Sequence, residues 1–128
     1  MLLPITATVA ALLTLMYLIL TAFVFYGRQS GLGPGIGLGT NEIFIRLIRS
    51  HANFGEYTPL FLILLMLLEL AGVTTLILSL LSAAFIVGRF AYLFGISFVE
   101  ALRYRILGMI LTITVLGLCA LLLLRIVY

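Results

Sequence analysis

Four long apolar runs limit what this chain can fold into. A bilayer core ~30 Å thick is crossed by ~20 helical residues, and the stretches 3–26, 43–70, 74–94 and 101–127 each reach that length while staying predominantly apolar. Unpaired backbone groups are too costly in hydrocarbon for any spanning structure but helices and closed barrels, and runs this long without alternation exclude barrel strands. The expected fold is therefore all-α, an integral membrane four-helix bundle whose spans nearly exhaust the 128 residues as one domain. A hydrophobic share of 65% with only 9% charged residues lies outside the range of soluble domains.

The connections are read from their glycines. Residues 27–41 carry glycine at alternate positions from Gly31 to Gly39 together with Pro34, which predicts a flexible loop; residues 71–73 and 95–100 read as tight turns. Short links make sequential helices antiparallel, so the first and third connections emerge on the same side. Arg28, Arg103 and Arg105 flank those two connections, while only Glu69 and Arg125 lie near the opposite ends. The positive-inside bias then puts both termini outside the cytoplasm. The first span lacks a basic start and exceeds a signal core in length, so it is expected to be retained. Ala84 and Gly88 are spaced for close helix approach.

Several function classes fall away. The net charge of +3 comes from seven arginines and four glutamates scattered along the chain, which is no nucleic-acid surface. The lone Cys119 and lone His51 offer no ligand set for a metal, so no metal site is expected. The glycine-rich loop lacks the Lys-Ser/Thr ending of a phosphate loop and follows no strand. No broken helix or inverted repeat marks a transporter.

What remains is the stretch from Arg46 to Pro59, where polar residues crowd the mouth of the second span. At ~100° per residue, Arg46, Arg49, Asn53, Glu56 and Tyr57 fall in one stripe and His51 points to roughly the opposite side. Intramembrane ionisable groups mark functional sites by default. Arg28 and Glu42 border the first loop, Arg89 and Tyr92 share a face near the end of the third span, and Arg103 and Arg105 open the fourth, so all lie toward one end of the bundle. Arginine holds carboxylates bidentately and keeps its charge when partly buried, which suits an anionic ligand with several carboxylates. Glu56 serves either to neutralise Arg49 or to receive an ammonium group. Structural alternatives stand beside these roles: Arg28, Arg105 and Arg125 as headgroup-seeking arginines, Arg46 paired with Glu42 one turn earlier, Tyr57 and Tyr92 in an interfacial aromatic belt, and Arg49, Asn53 and Glu56 as an inter-helix network.

From Arg49 through His51, Asn53, Glu56 and Tyr57 to Pro59, the chain resembles the MAPEG family, the membrane-associated proteins in eicosanoid and glutathione metabolism, and is most similar to its small bacterial members. The resemblance extends to the length, the four spans, the glycine-rich first loop, Gly88-Arg89 with Tyr92, and the arginines opening the fourth helix. It implies a homotrimer in a bacterial inner membrane, with glutathione bound between neighbouring subunits near the cytoplasmic side. By position it implies that Arg49, Asn53, Glu56, Tyr57 and Arg89 bind glutathione, that His51 serves the same ligand from the other face of its helix, and that Arg28 reaches it from the first loop. Tyr92 and one of Arg103 and Arg105, with some preference for Arg103, are the implied catalytic groups, the arginine stabilising the thiolate. Ile96 departs from the pattern at a position where several active relatives carry a second tyrosine.

The resemblance and the residue types agree in chemistry. Glutathione presents two carboxylates, an ammonium and a thiol, and a nearby guanidinium favours the thiolate. The implied activity is a glutathione-dependent transferase or peroxidase acting on a lipophilic small molecule that arrives from the membrane lipid. The alternative is a non-catalytic scaffold, a lipid-binding or accessory subunit of a larger complex, which Ile96 favours slightly.

Overall fold

The computed structural model describes residues 2–31, 42–97 and 102–128, without the side chains of residues 96 and 97. Residues 32–41 of the glycine-rich loop therefore lie outside the described residues, as does the Ile96 side chain. Four helices account for almost everything else: α1 (Pro4–Gln29), α2 (Glu42–Leu70), α3 (Thr75–Ser97) and α4 (Leu102–Val127). All four are long and apolar enough to cross a membrane, and their outward faces carry large apolar side chains such as Leu15, Leu18, Ile110, Ile113 and Leu121. Such faces belong in hydrocarbon. The protein is an integral membrane protein.

Two helix ends differ from the sequence expectation. The first loop was expected from Gly27, yet α1 continues to Gln29; the turn was expected from Gly95, yet α3 continues to Ser97, and residues 98–100 of that expected turn lie outside the described residues. In both cases the glycine serves packing instead of a turn. Gly27 is buried where the Phe44 ring of α2 crosses it, and a Cβ there would overlap that ring. Gly95 lets α4 approach, since a Cβ would lie 2.7 Å from the backbone nitrogen of Arg105. The α2–α3 turn is as expected. Gly72, at φ +78°, ends α2 with its N–H donating to the Glu69 carbonyl and that of Val73 to the Leu68 carbonyl. These paired bonds satisfy the last carbonyls of the helix in a left-handed cap that favours glycine.

Cross-helix contacts fix the topology as up-down-up-down. The start of α1 meets the end of α2, where the Glu69 carboxylate accepts hydrogen bonds from the N–H groups of Ile5 and Thr6. Asn53 and Phe61 of α2 face Arg89 and Phe85 of α3 in reversed order, the two phenylalanine rings stacking at 3.9 Å. Helices α3 and α4 pack most intimately. Gly88 and Gly108 face each other there, and a Cβ on Gly108 would lie 2.6 Å from the Gly88 carbonyl oxygen. Among the described residues α1 packs on α2 and slightly on α3 but does not meet α4. The core thus lies between α2, α3 and α4, with Phe61, Leu65, Phe85, Val115 and Cys119 buried, and α1 closes it from one side through Leu13 and Leu20.

Candidate functional site

The polar end of the bundle is where α2 and α4 begin and α3 finishes. Turning α2 by its helical repeat aims Arg49, Asn53 and Glu56 the same way, and with Ala52 they form one wall of a cleft of about 230 Å³. Tyr92 of α3 and Arg105 of α4 form the other wall. Arg49 and Glu56 are exposed, and among the described residues Glu56 makes no ion pair. Arg105 is half-buried, and among the described residues its enclosed Nε has no hydrogen-bond partner. The cleft therefore offers two guanidinium groups and one carboxylate at separate points.

Behind this wall stands Arg89. Only 2% of its surface is exposed. Its Nη1 donates to Asn53 Oδ1 at 2.7 Å and its Nη2 donates to Thr112 Oγ1, whose hydroxyl in turn donates to the Gly108 carbonyl at 2.8 Å. The guanidinium carbon lies 5.4 Å from the ring centre of Tyr92, 5.5 Å from that of Tyr57 and 5.6 Å from that of Phe85. Among the described residues no carboxylate pairs with it. A buried cation held by amide and hydroxyl oxygens and π faces leaves its positive potential on the adjoining cleft. Tyr57 is half-buried, packs on the core beside Arg89 and does not line the cleft.

The remaining predicted residues divide. Arg103 is exposed and does not line the cleft; two residues along a helix turn the side chain by ~200°, so Arg103 and Arg105 cannot face the same way. Within the subunit Arg105, and not Arg103, lines the cleft. His51 points away from Arg49, as its spacing predicts. It stacks on Tyr17 of α1 at 4.5 Å, and its Nε2 lies 3.0 Å from Thr21 Oγ1. Arg28 is exposed in the last turn of α1. Arg46 forms the expected ion pair with Glu42, at 3.0 Å. Among the described residues no three His, Cys, Asp or Glu side chains converge as a metal site would require.

Thr112, Tyr17 and Thr21 escaped the sequence reading. Thr112 stood in an apolar run where a threonine binding its own helix backbone is unremarkable. Only the register of α4 against α3 gives it a guanidinium partner.

Fold and site together define a polytopic membrane protein with a cationic cleft built at one end of its helix bundle. The family model that describes the MAPEG family matches residues 3–125, and the chain belongs to that family. No curated protein matches it.

Proposed function

We propose that the protein is a glutathione-dependent membrane transferase or peroxidase, assembled as a homotrimer, acting on lipophilic electrophiles or hydroperoxides. The observation that carries this proposal is the convergence of Arg49, Asn53, Glu56, Tyr92 and Arg105 on one cleft. The donor set fits the ligand. Arg49 and the Asn53 amide suit carboxylates, Glu56 suits an ammonium, and Arg105 with the Tyr92 hydroxyl suits a thiolate. Neither His51 nor Arg28 lines this cleft, so a ligand touching all of these residues would lie against two subunits, and the trimer is the assembly that the resemblance to the MAPEG family implies.

Glutathione supplies the sulfur nucleophile. Arg105, held half-buried, stabilises negative charge on that sulfur, so the thiol proton is released to solvent at neutral pH. In conjugation a carbon–sulfur bond forms while the leaving group departs with its electron pair. In peroxide reduction two thiols become a disulfide as the hydroperoxide becomes an alcohol and water. No covalent enzyme intermediate is needed, and positioning with electrostatic stabilisation provides the rate.

A second proposal, the non-catalytic scaffold, draws on a different observation. Asn53 and Arg89 hydrogen-bond to each other, which already gives both a structural role in joining α2 to α3. Calorimetric titration of the detergent-purified protein with glutathione separates the two. Saturable binding that is lost in Arg49→Ala supports the enzyme, and absence of binding supports the scaffold.

A further inference from the structure

The buried chain Thr112–Arg89–Asn53 crosses three helices and ends at the cleft wall. A guanidinium has donors and no acceptor. The Asn53 atom facing Arg89 Nη1 is therefore its oxygen, whichever way the amide would otherwise turn. With Oδ1 committed inward, the Nδ2 amino group is the part of Asn53 left for the cleft that the residue lines. Arg89 has little freedom of its own, because its second nitrogen is tied to Thr112, which is fully buried. Thr112 is fixed in turn, since its hydroxyl proton goes to the Gly108 carbonyl and leaves an oxygen lone pair for Arg89. Gly108 sits where α3 and α4 approach closely, so this tether is anchored at a tight helix–helix contact.

We propose that Thr112 and Arg89 are positioning residues that hold the Asn53 side-chain amide with its two N–H donors toward the cleft, so that this part of the site selects an anionic, hydrogen-bond-accepting group such as a carboxylate. The proposal rests on the cleft's assignment as the ligand site and adds a residue from outside it. Thr112 touches no ligand. It acts by preventing Arg89 from turning away and releasing the amide.

The chain has two asparagines, Asn41 and Asn53, so labelling asparagine with nitrogen-15 gives two side-chain amide signals. The Asn53 signal is the one absent from Asn53→Asp. In ligand-free, detergent-solubilised protein, Thr112→Val is expected to shift or broaden the Asn53 signal, and Thr112→Ser, which keeps the hydroxyl, to leave it in place. An Asn53 signal unmoved by Thr112→Val overturns the proposal, and so does one moved equally by Thr112→Ser. The second readout uses glutathione and its diethyl ester as probes. Thr112→Val is expected to weaken glutathione binding by about five- to tenfold, the worth of one ordinary hydrogen bond, and to affect the ester much less. Equal weakening of both probes indicates general loosening and contradicts the proposal. If the parent protein binds neither probe, the proposed enzyme function fails, while the amide signals still decide whether Thr112 positions Asn53.

Discussion

Glu69, at the end of α2, accepts a hydrogen bond of 2.7 Å from the backbone N–H of Thr6, in the first turn of α1. Its other carboxylate oxygen accepts from Ile5 at 2.9 Å. Helix α1 begins at Leu3-Pro4 with no side-chain cap of its own, so a residue more than sixty positions away satisfies its first N–H groups and places negative charge at the positive end of its dipole. This joins the two helices at the end opposite the cleft.

Removing that carboxylate should loosen α1. Glu69→Ala is expected to lower stability by about 1–2 kcal/mol, the range found when a helix cap is deleted. Glu69→Gln, which keeps one acceptor oxygen, should lose less. Thermal unfolding of the detergent-solubilised protein measures both, and parent-like stability in Glu69→Ala would mean that water replaces the cap without loss.

The α3–α4 contact should be the least tolerant place in the bundle. Gly108→Ala introduces a Cβ against the backbone nitrogen and Cβ of Tyr92 and 2.6 Å from the Gly88 carbonyl oxygen, all backbone or near-backbone atoms that cannot turn aside. Overpacking of this kind costs about 1–3 kcal/mol or more. The displacement also pulls Thr112 from Arg89. Gly117→Ala on the same helix, where a Cβ meets nothing, is the matched control and should be neutral in the same unfolding assay.

Arg89 should be required for stability as well as for the ligand. Arg89→Ala leaves Asn53 and the buried Thr112 without their partner and opens a cavity beside Phe85. The expected loss is about 2–5 kcal/mol, that of opening a cavity and leaving neutral buried polar groups unpaired. Arg89→Lys keeps the charge but cannot span both oxygens, and it should recover only part of the unfolding temperature.

The arginines of the cleft should separate binding from turnover. Arg49→Ala is expected to weaken glutathione binding by about 2–3 kcal/mol, from loss of a charge-assisted contact. Arg105→Ala should retain most of the affinity and lose rate. Arg103→Ala, on the exposed side of α4, should change less than either. Calorimetry and steady-state conjugation rates give the order, and a dominant rate loss in Arg103→Ala would show that the thiolate lies on the other side of α4.

The four helices were legible because uninterrupted apolar length leaves the backbone no other way to satisfy its hydrogen bonds in a bilayer. Their ends were less so. Gly27 and Gly95 carry the signal of a turn, yet each lies in a helix because a neighbouring helix passes too close for any side chain, and closeness is not written in local sequence. The stripe of Arg49, Asn53 and Glu56 followed from helical spacing, as did the opposed direction of His51. Which of Arg103 and Arg105 lines the cleft of the subunit depended on the rotation of α4 about its axis, which packing sets. Thr112 and Glu69 needed partners 23 and 64 residues away. Such pairs become visible only once the helices are placed side by side.

The most direct test of the cleft's proposed role is the ultraviolet difference absorbance of the glutathione thiolate, recorded at neutral pH as glutathione is added to the purified protein. A saturable thiolate band that disappears in Arg105→Ala while binding persists is the predicted result. No band at millimolar glutathione, or an undiminished band in Arg105→Ala, would contradict it.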